Sequence, residues 1–344
     1  MPVEVRYTSN GHPFPVWKPS RLPRIPDHVL KSCIFLYRSV EDAKAGANTG
    51  GSGMLVGVRV DPDQPKPCWA YAVTNKHVAK NASVVRVNTL NGGIDTIDLD
   101  PTEWFYPEDG AGDFAVAPIS IDKSYDYSME PIERLLDDAI IAEHALGVGD
   151  EVLSMGRFVD LAAGRQNLPL VRFGHVSSME EIRIKDDSKP PIAQPSYIVE
   201  MRSRTGYSGS PVYIYIESRT MEWIERPPVA DLRERWKPWV LGVQWGQFPI
   251  KDEGGEELSE LIGTGMSTVC PAYRIKEFLL KNPKLVAQRR VQRALLDDMP
   301  AARNTAASSA SGPFVPAVAA DEPQHREAFT SLLNAAARTK PQAD

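Results

Sequence analysis

The stretch Arg204-Thr205-Gly206-Tyr207-Ser208-Gly209-Ser210-Pro211 places a serine inside a Gly-x-Ser-Gly-x-Pro run, just ahead of the apolar segment Val212-Tyr213-Ile214-Tyr215-Ile216. Glycines on both sides let the backbone turn sharply and approach a substrate closely. A serine presented in this way can attack a carbonyl while nearby backbone N–H groups collect the developing negative charge. Gly/Ser turns are also common loop punctuation, so the run gains weight only if a base and an orienting acid stand in matching contexts.

Both are found upstream. Tyr71-Ala72-Val73-Thr74-Asn75-Lys76-His77-Val78 reads as an apolar strand ending in a histidine. Gly110-Ala111-Gly112-Asp113-Phe114-Ala115-Val116-Ala117 reads as a turn, an aspartate and a strand. Taken alone, each has a plain reading: a satisfied structural histidine, and an aspartate in a turn. The order His, Asp, Ser in three such contexts points to nucleophilic catalysis.

With these residues in view, the chain resembles the trypsin-like (chymotrypsin-fold) serine peptidases, especially their bacterial members. The resemblance is carried by Thr74-Asn75-x-His77-Val78, Asp113-Phe114-Ala115-Val116 and Gly206-x-Ser208-Gly209-x-Pro211. Val243-Gln244-Trp245-Gly246 and Gly51-Ser52-Gly53-Met54-Leu55-Val56 extend it over about residues 30 to 280. It implies Ser208 as nucleophile, His77 as general base and then acid, Asp113 as the residue that orients the imidazole, and an oxyanion hole from the N–H groups of Gly206 and Ser208. The roles suit the side chains. Serine needs an adjacent base, and an unperturbed imidazole, with a pKa near 6.5, can take and return a proton near neutrality. Among competitors, Asp109 reads as a turn residue, and His144 and His175 read as structural. Ser210 falls at a position that the family usually gives to a small residue.

Short strand-like segments rich in Val, Ile, Tyr and Thr fall into two series. The first is 32–40, 53–60, 68–77, 83–90, 94–99 and 113–119. The second is 151–158, 170–176, 197–202, 211–216, 239–245 and 261–269. With no helices between the strands, the pattern predicts an all-β chain with two antiparallel units. The resemblance makes these two six-stranded β-barrels with the site in the cleft between them. The expected organisation is a Pro-rich extended arm over 1–29, a first barrel over 30–125 and a connector over 126–148 with helical spacing at 131–141. A second barrel follows over 149–271, then an amphipathic helix over 272–298 and a disordered Ala/Pro/Ser-rich tail over 299–344. A short helical pattern at 327–338 interrupts that tail.

The 344 residues carry a net charge of −6, which leaves no footprint for nucleic acid. No apolar run is long enough for a membrane span. The three cysteines, Cys33, Cys68 and Cys270, lack metal-ligand spacing. No metal or cofactor is expected. Position 78 is a valine where many secreted relatives carry a disulfide-bonded cysteine, and this fits a reducing, cytoplasmic setting. The expected partner is a protein or peptide substrate, with neither nucleic acid nor membrane.

Where zymogen-type relatives place an aspartate before the nucleophile, this chain has Tyr207, so the resemblance implies activity without N-terminal cleavage. Where many relatives use a small hydroxyl residue to bond the catalytic aspartate, this chain has Gln244, whose amide could donate a similar bond. The resemblance places a specificity pocket among Arg202, Thr205, Gln244, Trp245 and Gly246. Arg202 stands near the aspartate position of trypsin, which argues against a preference for Lys or Arg. Two readings of Arg202 and Arg204 stand: selection of acidic or small polar residues, or exposure to solvent. The resulting expectation is a serine endopeptidase. Its alternatives are a catalytically silent binding protein on the same fold, or a peptidase held latent by its tail.

Overall fold

The computed structural model describes residues 4–7, 13–16, 25–61, 68–157, 166–185, 191–201, 207–215, 238–249 and 263–298. Strands β1 (Glu4–Tyr7) and β2 (Pro13–Val16) form a two-stranded antiparallel ribbon within the arm expected to be merely extended. The first β-unit begins with helix α1 (Asp27–Lys31), strand β3 (Cys33–Tyr37), helix α2 (Val40–Ala45) and strand β4 (Thr49–Arg59). It continues with β5 (Cys68–Thr74), the single turn α3 (Lys76–Ala79), β6 (Val84–Asn88), β7 (Ile94–Asp98) and β8 (Ala115–Pro118). These strands pair in the order β7-β6-β3-β4-β5-β8, with the short β9 (Glu130–Pro131) added in parallel on β4. Helix α4 (Asp138–Glu143) leads to the second unit. There β10 (Glu151–Gly156), β11 (Leu170–Lys185), β12 (Ala193–Glu200), β13 (Pro211–Ile214), β14 (Trp239–Pro249) and β15 (Gly263–Pro271) close into a six-stranded barrel. Two six-stranded antiparallel units are thus present, as expected. The first is left open, because β7 and β8 do not pair with each other.

The period of two along each strand explains how the units meet. Cys33, Phe35, Met54, Val56, Tyr71, Val73 and Val116 of the first unit share one core with Leu153, Met155, Tyr213, Val240 and Val243 of the second. Their immediate neighbours turn the other way. Ile34, Leu36, Leu55, Ala72 and Ala115 fill the first unit's own core, and Val152, Val212, Ile214 and Leu241 fill that of the barrel. Each fully buried side chain of this size contributes about 1.5–3 kcal/mol. The seam between the units is therefore as much a core as either interior. One polar cluster lies within it. The Tyr213 hydroxyl donates to Glu130 Oε1 at 3.2 Å and lies 2.9 Å from Ser32 Oγ. Glu130 is 3% exposed. Burial pushes its carboxyl up to about 7 against the opposing pull of Tyr213, Arg134 and Ser32.

The connector is broken where a continuous helix was expected over 131–141. After a 3-10 turn at Ile132–Arg134, Leu135 makes an isolated parallel bridge to Val240 and the Leu136 N–H donates to Val240 O at 3.0 Å, which fixes this segment against the barrel. Asp137 then restarts a helix by accepting from the Ile140 N–H at 3.1 Å, an N-cap. The expected helix over 272–298 is likewise two helices, Ala272–Lys281 and Pro283–Asp298. Asn282, preceding a proline, is disfavoured from helical geometry, and its Oδ1 caps Lys284 and Leu285 N–H groups at 3.1 and 3.2 Å.

The first of these helices packs beyond the barrel that was expected to hold it. Phe278 meets Phe114 edge to face, with ring centroids 5.4 Å apart, and Ile275 and Leu279 enter the seam core. The second helix adds Leu285 to the same core. Its Arg289 donates to the Tyr71 hydroxyl at 2.9 Å and to Leu279 O at 2.7 Å. The expected disordered tail and its 327–338 pattern lie outside the described residues. Among the described residues, no helix is long and apolar enough to cross a membrane.

Candidate active site

His77 does not end a strand, as expected, but sits in the turn α3 just after β5. Val78 and Ala79 are buried in the first unit's core and pin that turn, and the His77 side chain is 49% exposed. Asp113 approaches from the loop before β8. Its Oδ2 lies 2.5 Å from His77 Nδ1, and its Oδ1 accepts the His77 backbone N–H at 3.2 Å. The Asp113 carboxylate is 9% exposed. Asn75 Nδ2 donates to the Asp113 carbonyl at 2.8 Å, tying the acid's backbone to the residue that opens the histidine turn. A carboxylate bound at Nδ1 leaves Nε2 unprotonated in a neutral imidazole and turned outward as a base.

The Ser208 turn is docked against the same elements. The Ser208 carbonyl accepts the Ser52 N–H at 2.8 Å. A Cβ built on Gly51 would lie 2.8 Å from both the Ser208 carbonyl and the methyls of Val78, so the turn and the residue after His77 meet over one glycine. Gly209 has φ +83°, and a Cβ there would fall 2.0 Å from Ser52 O and 2.2 Å from Thr74 Oγ1, so no side chain fits. The Gly209 N–H donates to Gln244 O at 2.8 Å, the Gln244 N–H to Ser210 O at 2.9 Å, and the Ser210 N–H to Tyr207 O at 2.9 Å. The Ser208 N–H has no partner among these bonds, and Ser208 is half-buried. No hydrogen bond joins Ser208 Oγ to His77 among the described residues.

The competing residues separate cleanly. Asp109 pairs with Lys76 Nζ at 2.5 Å. His144 caps α4 and packs by Trp239, with rings 6.3 Å apart, and His175 pairs across strands with Glu151 and Glu200. Ser210 is completely buried, and among the described residues its Oγ bonds nothing.

The bond expected from Gln244 to Asp113 is not among those the structure shows; Gln244 Nε2 donates to Ser267 Oγ at 3.4 Å. Strand alternation supplies the reason. Val243 pairs with Cys270, and both face the seam where Asp113 lies, so Gln244, one residue on, faces away. Cys270 lies beside the Asp113 loop instead. Its Sγ is 2.9 Å from where a Gly112 Cβ would sit. Its thiol pKa is pushed up by burial and then by the Asp113 charge. Sequence reading missed Cys270, along with Ser52, Asn75 and Phe278 as supports of the site.

The residues expected to line a specificity pocket are only partly among the described ones. Trp245 is half-buried and donates from Nε1 to Ser196 Oγ at 3.0 Å. Gly246 pairs with Thr268, whose Oγ1 would lie 2.9 Å from a Cβ at that glycine. Arg202, Thr205 and Gly206, the last expected to help form the oxyanion hole, lie outside the described residues, as does Arg204.

No family model matches the sequence, and no curated protein matches it. Similar solved structures include the HtrA-type protease AlgW with a tripeptide, at 12% identity and a TM-score of 0.37, covering 74% of this chain and 62% of that one. The Rv3671c protease in its inactive form matches at 16% identity and a TM-score of 0.36, covering 75% of this chain and 95% of that one. The active form of Rv3671c, from M. tuberculosis, matches at 17% identity and 0.35, over 77% and 93%. This chain thus spans less than two thirds of the length of the AlgW chain. By its own strand order, with one closed antiparallel barrel, one open antiparallel unit and a shared seam, the chain has a chymotrypsin-like fold.

Proposed function

We propose that the protein is a serine endopeptidase in which Ser208, His77 and Asp113 act together. The observation that carries this reading is the Asp113 carboxylate holding both the ring and the backbone N–H of His77, with the Ser208 turn docked on the neighbouring residues. In the proposed reaction Ser208 Oγ attacks the scissile carbonyl while its proton passes to His77 Nε2. The oxyanion is received by the Ser208 N–H and, as the family resemblance implies, that of Gly206. His77 then gives the proton to the leaving amine as the C–N bond breaks. Water repeats the sequence on the acyl-enzyme, and Ser208 regains its proton. The Ser208–His77 bond would form as substrate binds, since such bonds are often long in free enzymes. The substrate is a protein or peptide, and neither metal nor cofactor takes part in these steps.

A biotinylated aryl phosphonate tests the reading. It should label the wild-type protein at Ser208 and leave Ser208→Ala unlabelled. A folded wild-type protein that stays unlabelled and cuts no peptide in a library would instead favour a silent binding protein.

A further inference from the structure

Tyr207, the residue before Ser208, is 1% exposed. The Arg172 guanidinium lies over its ring, with Cζ 3.5 Å from the ring centroid. Arg172 is on β11 opposite Ser154 of β10, and Ser154 in turn pairs with Val212 of β13. The clamp therefore spans three adjacent strands of the closed barrel, and the Ser208 turn runs directly into the third. A planar guanidinium stacked on a desolvated aromatic face is among the stronger cation–π geometries. The carbonyl of Tyr207, the carbonyl of Ser208, the N–H of Gly209 and both backbone groups of Ser210 are fixed by backbone bonds. On the Tyr207 side of the nucleophile, Arg172 restrains the side chain through the guanidinium over its buried ring and through a hydrogen bond with its hydroxyl.

We infer that Arg172 is a positioning residue for Ser208: by clamping the Tyr207 ring it fixes the turn that presents the Ser208 hydroxyl and N–H. The catalytic consequence rests on the peptidase reading above, whereas the clamp itself rests on the contact. It assigns a task to a tyrosine at a position where zymogen-type relatives place an aspartate. The turn is held from within its own barrel, by a residue that touches no reacting atom.

The test uses the full chain with Arg172→Met, which keeps the stem and removes the charge, and Arg172→Lys, which restores a cation without the planar fork. Arg172→Met should lower kcat roughly five- to thirtyfold with KM changed less than about twofold, and Arg172→Lys should recover part of the loss. Hydrogen exchange should quicken in the peptide covering 207–215 and stay unchanged in β3. Tyr207→Leu, which keeps apolar volume but removes the ring, should cost about as much, and the double variant should cost no more than either single one. Unchanged exchange at 207–215, a loss confined to KM, or additive losses in the double variant would overturn the inference. If the wild-type protein is inert to the phosphonate, the peptidase reading fails, and exchange at 207–215 alone decides the clamp.

Discussion

The carboxylate of Asp113 grips His77 twice, through the ring Nδ1 at 2.5 Å and through the backbone N–H at 3.2 Å. One grip sets the tautomer and the other sets where the ring starts from. Asp113→Asn would keep the shape but present an amide N–H toward Nδ1, favouring the wrong tautomer. A roughly ten-thousandfold fall in kcat is expected, with thermal unfolding little changed. A loss below tenfold in steady-state peptide hydrolysis would contradict the assignment.

Ser210 provides the sharpest control for the nucleophile. It lies two residues from Ser208, but its Oγ is buried and bonds nothing among the described residues. Removing an unsatisfied buried hydroxyl costs little and can stabilise. Ser210→Ala should retain phosphonate labelling and unfold at the wild-type temperature or slightly above it. Abolished labelling in a folded Ser210→Ala protein would reassign the nucleophile.

Phe278 should matter to chemistry at a distance from it. Its ring props Phe114, the residue after Asp113. Phe278→Ala should destabilise the protein by about 2–4 kcal/mol. It should also lower kcat by loosening the Asp113 loop, while Phe278→Leu recovers most of both. Denaturant melts paired with kinetics would check this, and wild-type kcat in a destabilised Phe278→Ala would refute the coupling.

Glu130 makes stability fall as pH rises. Its carboxyl is lifted from an ordinary 4.5 to about 7 in the folded chain, so the folded state keeps a proton that the unfolded state releases. The stabilising contribution is complete below pH 4.5, erodes between 4.5 and 7, and is gone above that. It amounts to about 3 kcal/mol at most. Glu130→Gln keeps an acceptor for Tyr213 and should flatten this slope in urea melts run from pH 4.5 to 8. Parallel pH profiles for the two proteins would show that Glu130 is not the cause.

What could be read from the sequence was local. His77, Asp113 and Ser208 each stand in a short motif whose backbone consequences are set within a few residues, and twelve strands announced themselves by composition and spacing. Gln244 was misjudged because a motif gives position along the chain, whereas a strand's alternation decides which face a residue occupies. Cys270, on the adjacent strand, lies beside the Asp113 loop instead. Arg172 over Tyr207 and Phe278 on Phe114 depend on register and helix docking, which no linear spacing encodes. The open edge of the first unit was hidden for the same reason. By contrast, the break at Asn282-Pro283 was available to a closer reading of proline chemistry.

Arg289, near the end of the described chain, completes its hydrogen bonds on Tyr71, in the third strand of the first unit. During synthesis that strand leaves the ribosome long before the helix that covers it. Until Leu285 and Arg289 emerge, part of the shared core stays uncovered and the Asp113 loop lacks its prop from Phe278. We expect ribosome-bound chains whose Leu285 and Arg289 are still inside the exit tunnel to hold Ser208 without reacting with the phosphonate, and chains long enough for both to have emerged to react fully. Vectorial synthesis would thus act as a timer, keeping the half-made protein from cutting itself or its neighbours. Labelling of ribosome-stalled chains of graded length would show whether reactivity arrives late or is present from the moment Ser208 is exposed.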